Sequence, residues 1–218
     1  MKLFKFNNPN INHWITSDLH LNHDRDFLYG KRGFSNIKEH NEYIISEINR
    51  LVKPTDILFS LGDFCLNTKE DELNTFLDTI QCQNIYLIWG NHPNPLKKIY
   101  YREVTNQYGP DIDVYPFKYK NVTFMGYQCE VIIQGKYVVL NHFPLEVWEN
   151  MKDGSYMLCG HSHYSLPRTR KDSVDGLTLD CGWEGHNSIY NFNEIVEIMK
   201  TKNIRQVDHH VKNPTIST

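Results

Sequence analysis

Asp56-Ile57-Leu58-Phe59-Ser60-Leu61-Gly62-Asp63 is the stretch whose reading decides the fold. Its apolar residues run on without regular polar alternation, as in a strand buried on both faces, and a glycine and a carboxylate follow at once. Upstream, Lys38–Val52 carries Ile44, Ile45, Ile48 and Leu51 at helical spacing and stops before Pro54. Downstream, Thr68 with Asp71 after it predicts a capped helix start. That helix runs to about Ile80, with Leu73, Phe76, Leu77 and Ile80 on its inner face. His13–Ser17 and Ile85–Trp89 read as strands on either side. The order strand, loop, helix, strand, helix, strand favours one sheet joined by right-handed crossovers.

The second half of the chain has another rhythm. Val122–Met125, Cys129–Ile133 and Tyr137–Leu140 are close-set strands with Gly126 and Gly135-Lys136 between them, which predicts a meander. Further strands are expected at Tyr156–Cys159 and Leu177–Cys181, and a closing helix at Asn193–Lys200. Two sheets stacked face to face with helices outside, an α/β sandwich, accommodate both halves. Residues 1–205 form the domain, with Met1–Phe6 as an edge strand or arm. Residues 206–218 are a polar, loosely held tail. His209-His210 in that tail is an adjacent pair that does not converge easily on one ion.

The chain has 218 residues, enough to bury a two-layer core without disulfides. Its five cysteines (Cys65, Cys82, Cys129, Cys159, Cys181) are an odd number with no C-x-x-C pair, which points to reduced thiols in a cytoplasm. No apolar stretch approaches the roughly 20 residues that span a bilayer, and the N-terminus lacks the apolar core of a secretory signal. A net charge of −3 gives no reason to expect bulk binding to nucleic acid. A small phosphorylated or nucleotide-type substrate remains compatible with it.

Five apolar runs each end on residues of metal-binding type: Ser17-Asp18-Leu19-His20, Gly62-Asp63, Gly90-Asn91-His92, Asn141-His142 and Gly160-His161-Ser162-His163. Strand ends of this kind deliver side chains to a shared edge. Aspartate, histidine and asparagine without cysteine suit a pair of divalent ions engaged in hydrolysis. With Asp18 and Asp63 as the ionised ligands, two divalent ions leave the site net positive, which attracts phosphate and acidifies bound water. Asn91 adds a neutral oxygen. Gly62, Gly90 and Gly160 let the chain turn off the strand ends. His92, one residue beyond a ligand, is placed to lean over the ions and protonate a leaving oxygen. Each fragment alone is weak; their order along the chain carries the reading.

These motifs resemble the ordered motifs of the calcineurin-like metallophosphoesterases from about His13 to Lys200. The small single-domain bacterial and phage members are the most similar, through Arg32-Gly33-Phe34, Val52-Lys53-Pro54-Thr55-Asp56 and Gly62-Asp63-Phe64. The resemblance implies a four-layer αββα sandwich with two mixed β-sheets and the metal site at the strand ends. It also implies that Asp18, His20 and His163 hold one ion, that Asn91, His142 and His161 hold the other, and that Asp63 bridges them. His92 matches the general acid, and a water or hydroxide between the ions attacks phosphorus. Asn141 and Gly33 depart from the family pattern without removing a ligand. Manganese is favoured over iron, zinc or nickel.

Outside the motifs, His23 is read either as a substrate contact or as a simple loop histidine. Arg32 is read either as the cation that grips the substrate phosphate or as a solvated loop charge. Arg168, Arg170 and Lys171 read as solvated loop charges, and Asn41 as a structural hydrogen-bonding residue. Trp183, Glu184 and His186 rim the pocket, although packing explains Trp183 equally well. The expectation is a cytoplasmic phosphoesterase, more a diesterase than a monoesterase. The rivals are an inert protein-binding scaffold of the same family and a nuclease of the same fold. The nuclease ordinarily needs a basic groove, which the sequence does not display.

Overall fold

The computed structural model describes residues 3–92, 95–110 and 112–205. In chain order the elements are β1 (Phe4–Phe6), β2 (His13–Thr16), α1 (Asp26–Tyr29), α2 (Ile37–Leu51), β3 (Ile57–Ser60), α3 (Glu70–Thr79), β4 (Ile85–Leu87) and α4 (Pro95–Tyr108). There follow β5 (Phe117–Tyr119), β6 (Val122–Phe124), β7 (Gln128–Ile133), β8 (Lys136–Asn141), β9 (Tyr156–Cys159), β10 (Thr178–Asp180), β11 (Tyr190–Asn191) and α5 (Phe192–Lys200). The expected tail 206–218, with His209-His210, lies outside the described residues.

The strand that opens the sequence reading, β3, sits between β2 and β4, parallel to both. With β6, β5 and β11 they form a six-stranded mixed sheet in the order β11-β2-β3-β4-β6-β5. The other sheet, β1-β7-β8-β9-β10, is also mixed, since β7 pairs antiparallel to β8 while β8, β9 and β10 run parallel. Pleating separates the two faces of the first sheet. Leu58, Ile85 and Leu87 pack outward on the helices with Ile44, Ile48, Leu73, Leu77 and Ile99. Phe59, Ile15 and Ile88 pack inward on Val131, Val138, Leu140 and Leu158 of the second sheet, joined by Phe192, Ile195 and Met199 of α5. On the far side of the second sheet, Val139, Met157 and Cys159 lie under Trp148 and Met151, from a loop with a 3-10 turn. Two mixed sheets face to face were expected, and they are present.

Local differences from the sequence reading have physical causes. The meander does not form: β6 pairs with β4 in the first sheet, and the chain crosses to the second sheet through Gly126, whose φ is +91°. Of the three strands expected in the meander, β7 and β8 make a hairpin, while β6 makes one with β5. The β7–β8 loop is Gln134-Gly135, both with positive φ, as a two-residue turn between right-twisted strands requires. Helix α3 starts after Lys69 rather than Thr68. The Glu72 carboxylate accepts the Lys69 N–H at 2.9 Å, while the Thr68 hydroxyl donates to Leu66 O. Helix α4 was not foreseen. Its buried stripe of Leu96, Ile99, Tyr100 and Val104 is interleaved with lysines and a second tyrosine, which mask the helical period.

Asp56 shows why the chain enters β3 as it does. Buried at 1% exposure, its carboxylate accepts from the N–H groups of Asn12 and Lys53 and from the Trp14 indole. It ties the turn before β3 to the start of β2, so both strands run in the same direction to a common end. No described helix is long and apolar enough to cross a membrane. Among the described residues no disulfide is formed, and all five cysteines are buried.

Candidate metal centre

The residues following β2, β3, β4, β8 and β9 meet at one edge of the sandwich. His20 Nε2 and His163 Nε2 are 3.2 Å apart, and Asp18 Oδ1 lies 3.7 Å from the first and 3.8 Å from the second. Beside them, Asn91 Oδ1 lies 2.7 Å from His142 Nε2 and 2.8 Å from His161 Nδ1, and Asp63 Oδ2 is 3.4 Å from His142 Nε2. Donor atoms each about 2.0–2.2 Å from one ion stand about 3–3.5 Å from each other, a spacing met by the His20–His163 and Asp63–His142 pairs, while the Asn91 pairs are a little closer and the Asp18 pairs a little wider. All seven expected ligand residues are thus brought together. Asp18 belongs to both groups of carboxylates and histidines that converge within ligand distance, with His20 and His163 and with Asp63 and His142.

Several features make this edge fit cations. Asp18 Oδ1 is buried and accepts no hydrogen bond among the described residues, whereas Oδ2 accepts the His161 N–H at 2.8 Å. An orphaned carboxylate oxygen facing two imidazole nitrogens is costly without a positive charge between them. Burial raises the Asp18 carboxyl to about 6, so an arriving cation displaces a proton there. Burial, and then His163, hold His20 down to about 2, which keeps its nitrogen free as a donor. Burial opposes the charge on Asp63, but His142 and the His92 N–H outweigh it and keep this carboxyl below its ordinary range.

The imidazoles are held from behind. Leu61 O can only accept, so His142 Nδ1 donates to it at 2.9 Å and Nε2 is left facing the site. His163 Nδ1 meets Glu184 Oε1 at 3.0 Å in the same way. Burial disfavours the Glu184 charge, yet His163 and Arg32 hold its carboxyl down to about 2. The backbone carries the load of this convergence. Asp18, His20, Asp63, His161 and His163 all have positive φ, between 46° and 66°. Asp and His tolerate this region better than most residues, and such outliers gather at functional sites.

The glycines before the ligands act differently from expectation. Only Gly62 has a left-handed φ, +107°, and supplies a sharp turn. At Gly160 a Cβ would stand 1.9 Å from Ser17 Oγ, and at Gly90 2.1 Å from Asp63 Oδ1. Those two are small because a ligand carboxylate or its neighbour lies against their backbone.

His92 lies outside the two groups of converging carboxylates and histidines. Its side chain is 39% exposed, with Nε2 3.8 Å from Asp63 Oδ2 and its ring 5.4 Å from His20 and 5.9 Å from His23. His23 therefore borders the site. Arg32 lines the cavity beside Phe27, with its guanidinium engaged by the protein. The side chain is 2% exposed, and its nitrogens bond Glu184, Asp18 O, Leu19 O and His40. Its charge is engaged in fastening the Asp18–His20 turn to the carboxylate behind His163. Asn41 is structural, exchanging hydrogen bonds with Asn22. Arg168 bonds Leu145 O and Arg170 bonds Tyr164 O, so they brace loops rather than stand free in solvent. Lys171 donates its backbone N–H to the Tyr164 hydroxyl. Trp183 is buried, and His186 is drawn off by Glu194 at 2.8 Å.

Two supporting carboxylates were not read from the sequence in this role. Glu184 is one. The other is Asp180, whose Oδ2 accepts from Ser162 Oγ at 2.5 Å and from Tyr164 N–H, pinning the turn that carries His161 and His163. Asp180 ends an apolar run as the ligands do, and that was its available signal. The support behind His163 is testable. Glu184→Gln is expected to weaken metal affinity about 10–100-fold, the usual effect of removing an outer carboxylate. Calorimetric titration of the metal-free variant that matches wild type would remove Glu184 from this role.

Comparisons with known proteins agree with the geometry. A family model described as calcineurin-like phosphoesterase matches residues 11–216. The uncharacterized protein MJ1445 of Methanocaldococcus jannaschii is 34% identical over 79 residues, covering 36% of this chain and 45% of that protein's length. The crystal structure of AQ665 from Aquifex aeolicus, a protein of unknown function, superposes with a TM-score of 0.57 at 18% identity. That match covers 87% of this chain and all of the other, and shows a shared fold.

Proposed function

The chain belongs to the calcineurin-like phosphoesterase family, and from that premise we propose that it is a hydrolase of phosphodiesters that uses two divalent cations, manganese being favoured. The observation that carries the reading is the meeting of two groups of carboxylates and histidines at Asp18, whose buried Oδ1 accepts no hydrogen bond among the described residues. In this reading Asp18, His20 and His163 would hold one cation and Asn91, His142 and His161 the other, with Asp63 shared. When bound, such a pair supplies an acidified water as nucleophile and positive charge for the phosphoryl oxygens.

The chain's own residues do the rest. Leu61 O and Glu184 hold two imidazoles in the tautomer that turns Nε2 to the site. The partly exposed His92 is placed to give its proton to the departing oxygen, and His23 beside it borders the same side. The diester preference is supported by the position of Arg32. With that guanidinium turned inward, the extra cation that a doubly charged monoester would use is engaged elsewhere. A cytoplasmic location accords with five buried thiols.

Turnover of bis(p-nitrophenyl) phosphate and of p-nitrophenyl phosphate by the manganese-loaded protein tests this. The diester is expected to be cleaved faster. Preference for the monoester refutes the diesterase assignment, and no turnover of either ester with any divalent metal favours an inert scaffold.

A further inference from the structure

Two large apolar side chains are exposed beside the candidate ligands, one next to His23 and one next to His142 and His161. Phe27, 59% exposed on α1, sets its ring edge-on to His23 at 5.9 Å. Phe143, 44% exposed after β8, lies 4.5 Å from the His161 ring and 5.2 Å from that of His142. Exposed phenylalanines are ordinary singly. Here each one meets different histidines of the same edge, Phe27 at His23 and Phe143 at His142 and His161. Phe27 also borders a cavity of about 520 Å³ whose wall includes Lys31, His163, Ser165, Glu184 and Asn187. That volume is within the range of small-ligand sites. Glu184 is paired with Arg32 and His163, so Lys31 sets the sign of charge at the rim.

We propose that Phe27 and Phe143 are stacking platforms for two flat rings, one on each side of the scissile phosphodiester, so that the preferred substrate class is a short nucleotide-type diester. The inference rests on the diesterase reading and adds the identity of the two ester groups. A diester has two organic arms, and an aromatic face is the sequence-tolerant way to hold a nucleobase. The sides follow from His92. Its ring approaches His23, and His23 approaches Phe27, so the arm protonated by His92 on leaving meets Phe27 and the adjoining cavity. The arm that keeps the phosphate then lies against Phe143. Hydrolysis breaks the bond from phosphorus to the leaving oxygen, water supplies the new oxygen on phosphorus, and the proton from His92 completes the released hydroxyl.

Two substrate pairs isolate the two sides in the manganese-loaded protein. Thymidine 5′-(p-nitrophenyl phosphate) and methyl p-nitrophenyl phosphate share a leaving group and differ only in the retained arm. A thymidine dinucleotide and thymidine 5′-phosphate methyl ester share the retained nucleotide and differ in the alcohol released. Wild type is expected to prefer the ring-bearing member of each pair by about tenfold or more in kcat/KM, as one stacked base implies. Phe143→Leu should erase most of the first preference and Phe27→Leu most of the second. Turnover of the methyl esters without ring preference, or preferences that survive both variants, overturns the platforms and leaves the diesterase reading standing. Loss of turnover on every diester overturns the diesterase reading itself.

Discussion

Asp63→Ala protein is expected to lose tight binding of both metal ions and to turn over phosphoesters at least about a thousandfold more slowly, since two-metal activation is worth several kcal/mol. The ground is the position of Asp63, 3% exposed, 3.4 Å from a ligand nitrogen of one set and 3.8 Å from His92, with its other oxygen held by the His92 N–H. The geometry also sets up a competitor, because Asp18 is the residue common to both carboxylate-histidine groups. Metal counting by elemental analysis on both single variants decides between them. An Asp63→Ala protein that keeps one tight ion while Asp18→Ala keeps none moves the shared role to Asp18.

The two carboxylates also differ without metal. Burial raises the Asp18 carboxyl from an ordinary 3.8 to about 6. A folded-state pKa above the unfolded one means that the native state favours the protonated form. The penalty is therefore absent below about pH 3.8, grows through the interval and is complete above about 6. Asp18→Asn is expected to stabilise the metal-free protein at pH 8 by about 3 kcal/mol, a gain that fades in mild acid. Asp63, held below its ordinary range, predicts no such gain on replacement. Metal-free melting curves at two pH values report the difference.

His92→Ala has the second large expected effect. In the proposed two-cation centre both ions are expected to stay bound, since His92 lies outside the proposed ligand sets, and turnover of substrates with alkoxide leaving groups is expected to fall about 10²–10⁴-fold, the usual worth of a placed proton donor. For p-nitrophenyl esters, whose leaving group needs little protonation, the loss is much smaller. Equal losses for both leaving groups would take His92 out of proton transfer and make it a structural residue. Elemental analysis of the same preparation guards against the other explanation, loss of metal.

The candidate ligands were legible in the sequence because each is chemically local. Asp18, Asp63, Asn91, His142 and His161 come between one and four residues after a strand, so an apolar run followed by a donor is visible in one dimension. Arg32 was legible as a cation near the site but not in direction. Whether it points at substrate or into the protein depends on Glu184, 152 residues further on, which no local pattern reveals. The same holds for the crossing at Gly126. Val122–Phe124 has the composition of a hairpin partner for β7, yet an unpaired edge of β4 offers it a full parallel ladder.

The sequence carried the two-sheet α/β class, most of the strands and helices and the family, together with seven candidate donors, since these depend on periodicity and side-chain chemistry within short spans. The tertiary structure added why Gly90 and Gly160 must be small and that Arg32 and Glu184 stand behind His163. It also decided that Phe27 and Phe143 meet histidines of the same edge. Those are distances between segments remote in the chain, set by how two sheets pack and where their strand ends meet.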